Sequence, residues 1–509
     1  MKLLDCTLRD GGYYTNWDFS DDLLQVYLRA MNESPIDYVE IGYRAKPEPG
    51  YQGRFYYCPD YLVNRIASIL KKQLVFIIDE KNCLPGDMEA LLSGIKDKVA
   101  MVRITVAPTK IEEGIALAAA IKKIGIKVAF NLMYISKIAN DTTVLAKLSE
   151  IPTDVVDVVY LVDSYGGILP DQLKQIIQIV KSGTSIPLGF HGHNNMEMAL
   201  ANTIAALDNG VEYIDATITG MGRGAGNLKT ELLLTYLSSK GMQVDFNALS
   251  KAVSAFEELR KDYGWGTNLP YMVSGAYSLP QKEVMDWTTK RFYSYNGILQ
   301  ALINKKSGVE DNVKLPVFDD GGDKKCLVIG GGQSILLHQE AILRYLDVAG
   351  IDVLVFSSSK HVPVFQNKTL KKIYCIQGKE ADRLDATINH QLKGNSILMY
   401  APFPRQMGTQ VPQDWIDHAV ELPRWQLTPD EQESHLRLAL ETALLYKPTE
   451  IIIAGFDGYN SEPSSIEFEV AKENDLLFKK FRNLGVRVVS ITPSRYKNLD
   501  QLSIYSLLT

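Results

Sequence analysis

The sequence has few of the features that mark secreted, membrane-bound or zinc-knuckle proteins. Its five cysteines, Cys6, Cys58, Cys83, Cys326 and Cys375, form no CxxC pair, which argues against a disulfide framework. No run of about twenty apolar residues is present, and the opening MKLLDCTLRD leaves no room for the apolar core of a signal peptide. We therefore expect a cytoplasmic protein with reduced thiols and no membrane partner.

An excess of basic charge is also missing. The 509 residues carry a formal net charge of -6, with 46% hydrophobic and 22% charged positions. Nucleic acids usually require a concentrated basic face, so we expect no nucleic-acid partner and take small molecules as the ligands. The length suffices for two or three domains, and the composition is compatible with a homo-oligomer.

Short runs rich in β-branched residues recur through the first 220 residues, and a stretch of helical periodicity follows each of them. The eight runs are Leu3–Leu8, Tyr38–Tyr43, Leu74–Asp79, Met101–Val106, Lys127–Tyr134, Val158–Ser164, Pro187–His193 and Tyr213–Gly220. Alternating strands and helices build a parallel sheet, and eight regular repeats fit a closed barrel better than an open sheet. We predict a (β/α)8 TIM barrel over residues 1–240.

The remaining sequence predicts a second α/β domain. Residues 241–305 have helical periodicity and predict a helical extension, and residues 306–325, rich in charge, Gly and Pro, predict a linker. About six further strands with helices between them predict an open Rossmann-like sheet over residues 326–509. These strands are Cys326–Gly330, Val353–Ser357, Lys372–Gln377, Ile397–Ala401, Glu450–Phe456 and Val486–Ile491.

The seventh run ends in the pattern HGHNN. His191 and His193 are the only histidines before His338, and side chains two apart on a strand face the same side. Asp10 follows the first run, close to the seventh in a closed barrel. A carboxylate with two imidazoles suits a divalent ion and leaves coordination positions open. We predict one metal here, Mn or Mg before Co or Zn; hydrogen-bonded core histidines and a loop-capping aspartate are the structural alternatives.

Other charged residues end predicted strands near these three. Arg9 would bind a carboxylate and stabilise the negative charge of an enolate, or else form an ion pair at the rim. Glu40, Arg103 and Asp163 lie at the ends of the second, fourth and sixth runs. They are either partners of the metal ligands or of Arg9, or purely structural residues. We expect Glu40 to take part in catalysis and Arg103 to contact the substrate.

Six segments, in order DCTLRDGG, YVEIGY, VRITV, YLVDSYGGILPDQL, GFHGHNNMEMALANTIAAL and ITGMGRGAGN, resemble the metal-dependent aldolase and Claisen-condensation superfamily, the HMG-CoA lyase-like enzymes. The likeness spans about residues 1–235. It implies that Asp10, His191 and His193 bind the metal and that Arg9 stabilises the enolate. It also implies a place near the metal for Asn227, and we expect Ser164 and Asn227 to bind the substrate.

Within this superfamily, VDSYGGILPDQL and GHNNMEMALAN are most similar to the 4-hydroxy-2-oxovalerate aldolases. That branch implies a carbon–carbon lyase that joins the metal-bound enolate of pyruvate or a similar 2-oxo acid to an aldehyde. The chain departs from the branch at Tyr13, where those aldolases carry a histidine thought to be the base. Tyr13 would serve as the acid or base, or as an aromatic wall over the substrate.

Two other functions stay open. The GxGxxAGN pattern resembles the acyl-CoA Claisen-type synthases, although these carry a glutamine after the RDG turn where this chain continues with Gly12 and Tyr13. The last alternative is an inactive barrel that serves as a scaffold for a nucleotide-binding domain.

The second domain begins with a glycine-rich turn in VIGGGQSILL. A strand, a glycine-rich turn and a helix point backbone N–H groups at an anion, typically a phosphate. With the later segment IIIAGFDGY, this turn resembles the Rossmann-like domains of bacterial cell-surface glycan enzymes. The likeness implies a nucleotide or nucleotide-sugar at Gly330, Gly331, Gly332 and Ser334 and a role in cell-surface sugar biosynthesis. A purely structural turn is the alternative.

Overall fold

The computed structural model describes residues 1–139, 141–289, 293, 295–311, 313–378, 380–387, 394–405, 407, 409–427, 434–459 and 465–509. Residues 290–292, 294 and 312, which belong to the predicted extension and linker, lie outside the described residues. The chain divides into two units, Met1–Met285 and Asp286–Thr509. This division falls inside the predicted extension 241–305, and the domain boundaries drawn from the sequence stay predictions.

The first unit contains eight parallel strands that close into a barrel, in which neighbours pair in chain order and β8 pairs with β1. The strands are β1 (Lys2–Asp5), β2 (Tyr38–Tyr43), β3 (Gln73–Asp79), β4 (Met101–Val106), β5 (Lys127–Leu132), β6 (Val158–Asp163), β7 (Leu188–Gly192) and β8 (Tyr213–Ala216). Small and β-branched side chains, among them Val75, Ala129 and Val162, fill the interior. The predicted (β/α)8 barrel is confirmed.

The first predicted strand, Leu3–Leu8, is too long, because β1 ends at Asp5. The Asp5 carboxylate accepts the backbone N–H and the hydroxyl of Thr7 at 2.9 and 2.6 Å. Such a local side-chain contact competes with strand pairing, and a helix begins at Thr7. The fifth to eighth predicted strands also extend too far at their carboxyl ends, where the chain already forms the loops of the barrel mouth.

Helices follow the strands around the barrel. They are α1 (Thr7–Thr15), α2 (Asp21–Glu33), α3 (Arg54–Tyr57), α4 (Asp60–Ile69), α5 (Met88–Leu92), α6 (Ile111–Ile124), α7 (Ile135–Ile138), α8 (Thr142–Lys147), α9 (Pro170–Gly183), α10 (Ala199–Asp208), α11 (Thr230–Ser239), α12 (Phe246–Tyr263), α13 (Leu269–Ala276) and α14 (Gln281–Thr289). In α9, Pro170 takes the first helical position, and Leu173, Ile176, Ile177 and Val180 are buried. Each buried side chain contributes about 1.5–3 kcal/mol.

The second unit is built on one parallel sheet in the order β13-β12-β11-β10-β9-β14-β15-β16. Its strands are β9 (Cys326–Ile329), β10 (Val353–Phe356), β11 (Lys371–Cys375), β12 (Ser396–Tyr400), β13 (Ala419–Glu421), β14 (Glu450–Ala454), β15 (Arg487–Ser490) and β16 (Asp500–Gln501). The predicted Rossmann-like α/β sheet is confirmed. The count of six strands is wrong for the described residues, because β13 and β16 are too short to show a periodicity in the sequence.

The helices of this second unit are α15 (Tyr295–Ser307), α16 (Ser334–Leu337), α17 (Gln339–Ala349), α18 (Glu380–Thr387), α19 (His435–Leu444) and α20 (Ser465–Asn483). Strand order reverses between β9 and β14, and at such a point the carboxyl ends of the strands open a crevice. Across the described part of the chain, no helix has both the length and the apolar character needed to cross a membrane.

Candidate active site

Three side chains meet at the carboxyl end of the barrel. A carboxylate oxygen of Asp10 and one ring nitrogen each of His191 and His193 all lie within 4.8 Å of one another, and all three residues are buried. His191 lies near the end of β7 and His193 just beyond it, so both rings point to the same side of the chain. Asp10 comes from α1. The structure therefore brings together the three predicted metal ligands.

Neighbouring side chains hold two of these three residues, His191 and Asp10, in their orientations. His191 Nδ1 lies 2.8 Å from the carboxylate of Asp215, which leaves Nε2 facing Asp10 at 3.7 Å. Asn227 Nδ2 donates to one carboxylate oxygen of Asp10, and Arg9 Nη1 donates to the other at 2.6 Å. A carboxylate behind an imidazole fixes the tautomer and the ring orientation of a metal-binding histidine. The geometry is therefore set by residues that would not themselves touch the metal.

The protonation of these groups suits a cation. Burial raises the pKa of the Asp10 carboxyl, but the charge of Arg9, together with the neighbouring histidines and the Asn227 hydrogen bond, outweighs burial and holds this pKa well below its usual range. Burial lowers the pKa of His193 to about 3. Carboxylate and neutral imidazole are the forms that bind metals. Nδ1 of His193 is buried without a hydrogen-bond partner among the described residues, so the donor set fits a divalent metal.

Glu40 and Arg103 are fully buried behind Arg9 and do not line the cavity that the described residues form. Glu40 accepts from Arg9 Nε and, at 2.9 Å, from Arg103 Nη1, and Arg103 Nη2 donates to Asp215. A continuous chain of charges therefore runs from Arg9 to the partner of His191. Buried ions require such pairing. Glu40 and Arg103 are placed to position Arg9 and His191.

A cavity of about 100 Å³ opens beside Asp10, His191 and His193. A cavity of this size suits a small substrate rather than a large one. Arg9, Tyr13 and Arg223 line it together with the predicted metal ligands. The Tyr13 hydroxyl lies 3.0 Å from the Tyr43 hydroxyl, and the Arg223 guanidinium carbon lies 5.4 Å from the centre of the Tyr13 ring.

Like Arg103, which was predicted to contact the substrate, the other two predicted substrate-binding residues lie outside this lining in the described structure. The Ser164 hydroxyl accepts the backbone N–H of Tyr134 at 2.9 Å, and the Asn227 amide is held by Asp10. Their contact with substrate stays a prediction. Asp163 accepts the backbone N–H groups of the loop that follows β6, and burial raises its pKa to about 6.

Two residues of the site, Asp215 and Arg223, were not predicted from the sequence, although each has a recognisable sequence feature. Asp215 lies in YIDA of β8, and a carboxylate inside a buried strand calls for a partner. Arg223 is the single charged side chain of ITGMGRGAGN. The four glycines of this segment predict backbone contacts with a ligand, whereas its one charge predicts a side-chain contact.

The predicted nucleotide-binding residues Gly330, Gly331, Gly332 and Ser334 follow β9, next to the reversal in strand order. The carboxylate of Asp457 accepts the backbone N–H of Ser334 at 2.9 Å and also its hydroxyl. An internal carboxylate thus lies where a phosphate was expected. The nucleotide site stays a prediction, and these contacts do not support it.

Fold and site together define a class, a (β/α)8-barrel protein with a buried carboxylate and two imidazoles suited to a divalent metal. The chain belongs to the HMGL-like family, whose model matches residues 101–255. It is 30% identical over 287 residues to oxaloacetate decarboxylase of Mycobacterium tuberculosis, covering 55% of this chain and 84% of that protein. It is 32% identical over 274 residues to 4-hydroxy-2-oxovalerate aldolase of Pelotomaculum thermopropionicum, a match that covers 51% of this chain and 77% of that protein.

A solved structure supports the same assignment. The N-terminal domain of a candidate aldolase from Bacteroides vulgatus is 50% identical, with a TM-score of 0.56, and the match covers 59% of this chain and all of that one. The family resemblance drawn from the motifs is confirmed, and so is the enzyme class, a carbon–carbon lyase of the metal-dependent aldolase type.

Proposed function

We propose that the barrel is an aldolase that requires a divalent metal and acts through the enolate of pyruvate or a similar 2-oxo acid, with an aldehyde as acceptor. The meeting of Asp10, His191 and His193 beside Arg9 carries this proposal. The relatives are named for 4-hydroxy-2-oxovalerate and oxaloacetate, which are both 2-oxo acids. Mn or Mg suits the mixed carboxylate and imidazole ligands, with Co or Zn next.

The bound metal would supply a Lewis acid that polarises the 2-oxo carbonyl. Arg9 donates to Asp10 and Glu40, so its guanidinium is fixed at the cavity and can stabilise negative charge on the enolate oxygen. Tyr13 lines the cavity at the position of the base in the resembling aldolases. Burial raises the pKa of Tyr43 well above its usual value, so Tyr43 stays protonated and can donate to the Tyr13 oxygen.

Deuterium uptake into the methyl group of pyruvate tests this proposal. In heavy water with Mn, we expect exchange that falls at least about 100-fold in Asp10→Ala, because one of three metal ligands is lost. A matched control is Asp154→Ala, an exposed residue ahead of β6 at the other end of the barrel, which should exchange normally. Metal content, measured by plasma emission, should fall with Asp10→Ala alone. Exchange that survives this variant or a chelator would overturn the mechanism.

Decarboxylation of oxaloacetate is a second candidate reaction. The relative from Mycobacterium tuberculosis is named for it, and the described cavity lining has no imidazole besides His191 and His193. Loss of carbon dioxide from oxaloacetate leaves the enolate of pyruvate, so no base has to remove a C–H proton. Carbon dioxide release from oxaloacetate without exchange of pyruvate hydrogens would favour this reaction over the aldolase.

The acceptor is proposed only as a class, the aldehydes. A nucleotide-linked aldehyde and a role in cell-surface sugar biosynthesis rest on the resemblance of the second unit, and the contact of Asp457 with Ser334 gives them no support. Incubation of pyruvate with a panel of aldehydes, including nucleotide-linked ones, followed by mass spectrometry would identify the acceptor.

A further inference from the structure

Arg223 is a cation at the cavity, and no carboxylate of the described residues lies within ion-pair distance of it. Its side chain lines the cavity with Asp10 and His193, yet it forms no ion pair with any described residue. Its Nε is buried and has no hydrogen-bond acceptor among those residues. Its guanidinium faces the Tyr13 ring, with 5.4 Å between the guanidinium carbon and the ring centre.

The other two arginines of the site are fully paired. Arg9 forms ion pairs with Asp10 and Glu40, and Arg103 forms ion pairs with Glu40 and Asp215. An aromatic face offsets only part of the cost of removing a guanidinium from water. A partly buried arginine that lacks a carboxylate is therefore suited to an anion that arrives from outside.

Hydrogen bonds hold the loop that carries Arg223 against the candidate metal site of Asp10, His191 and His193. Gly224 O accepts the Tyr14 hydroxyl at 2.8 Å, and Gly226 O accepts the Asn194 N–H at 2.8 Å. A Cβ atom added to Gly222 would lie 3.0 Å from Asp10 Oδ2. The backbone before Arg223 therefore lies directly on the site, so the Arg223 side chain starts from a fixed position beside Asp10.

We propose that Arg223 binds a carboxylate of the substrate, which limits the substrates to acids whose carboxylate reaches the Tyr13 side of the cavity. The inference rests on the proposed 2-oxo acid chemistry. A guanidinium binds a carboxylate through two parallel hydrogen bonds. Two sources supply that carboxylate, the one next to the 2-oxo group or the second one of a diacid such as oxaloacetate.

Calorimetric titration of pyruvate and of malonate into the Mn-loaded protein tests the role of Arg223 without turnover. We expect Arg223→Gln to weaken binding about 10- to 100-fold, and Arg223→Lys to recover part of it, because lysine keeps the charge but not the planar fork. Lys229→Gln is the matched control, since Lys229 lies in the same loop outside the cavity lining. Thermal melts of each variant verify folding.

The two acids distinguish the sources of the carboxylate. Weaker binding of pyruvate by Arg223→Gln, alone or together with malonate, assigns Arg223 to the carboxylate beside the 2-oxo group, because pyruvate has no other carboxylate. Weaker binding of malonate alone assigns it to the second carboxylate of a diacid. Equal affinity of Arg223→Gln and wild type for both acids overturns the inference. So does an equal loss in Lys229→Gln, or a wild type that binds neither acid. A wild type that binds these acids but neither exchanges pyruvate hydrogens nor decarboxylates oxaloacetate would end the proposed function and leave the carboxylate site standing.

Discussion

Asp215→Asn would show whether the carboxylate behind His191 controls metal affinity. Oδ2 of Asp215 lies 2.8 Å from His191 Nδ1 and also accepts Arg103 Nη2. Burial raises the pKa of Asp215, but Arg103 and His191 outweigh burial, so the pKa lies below its usual value and the group is ionised. An asparagine oxygen can take the place of Oδ2 and keep both contacts. The substitution therefore removes the charge and leaves the shape nearly unchanged.

The magnitude follows from the strength of a single contact. A hydrogen bond to a charged group contributes about 1.5–3 kcal/mol and a neutral one about 0.5–1.5 kcal/mol. Loss of the charge thus costs about 1–1.5 kcal/mol at the His191 contact, which corresponds to a roughly tenfold weaker metal affinity. Asp215→Ala removes the contact as well and should approach about 100-fold. It should also destabilise the fold by about 3–5 kcal/mol, because Arg103 loses a buried partner.

Titration of the metal-free protein with Mn, with free Mn measured by electron paramagnetic resonance, gives these affinities. Asp157→Asn is the control, because Asp157 pairs with Lys122 at 2.7 Å just ahead of β6, at the end of the barrel away from the site. We expect this variant to bind Mn like the wild type. If Asp215→Asn binds Mn as tightly as Asp157→Asn does, the reasoning about the partner of His191 is refuted.

Two further predictions concern proton transfer and pH. Tyr13→Phe should slow hydrogen exchange of pyruvate by about 100-fold or more, since it removes the one cavity hydroxyl at the position of the family's base. Asp163→Asn should change the pH dependence of the free energy of unfolding. The folded-state pKa of Asp163 is about 6, against an ordinary 3.8, so its contribution to stability is complete below about pH 4 and is lost as pH rises to about 6. That difference of about two pKa units is worth about 3 kcal/mol.

Each has a control. Tyr43→Phe should slow exchange much less than Tyr13→Phe, and equal effects would show that the pair of hydroxyls only shapes the cavity. For Asp163, urea unfolding of wild type and Asp163→Asn at pH 4 and pH 7 gives the stability difference directly. The variant should gain relative to the wild type at the higher pH. A difference that does not change with pH would contradict a buried carboxyl with a raised pKa.

Local patterns in the sequence were enough to predict the barrel and the meeting of Asp10, His191 and His193. Strands of β-branched residues alternate with helices, and the carboxyl ends of parallel strands converge on one rim. His191 and His193 share a strand face through their spacing alone. For Asp10 the chain order suffices as well, because β1 closes against β8.

Contacts between distant residues were decided only by the tertiary structure. Glu40 is placed between Arg9 and Arg103 because charges buried together must pair, and no local pattern encodes which of them will meet. Asp457 reaches Ser334 across 123 residues and accepts the backbone N–H that was predicted to face a phosphate.

The sequence by itself therefore determined the fold and which three side chains meet as the candidate metal site, because both depend on periodicity and on strand order. Only the tertiary structure decided which charges are paired, because pairing depends on where side chains from separate strands meet in the closed barrel. It decided that Asp215 supports His191 and that Arg223 forms no ion pair with a carboxylate in the described part of the chain. Those two facts lead to the predicted metal affinity and to the proposed recognition of an acid substrate.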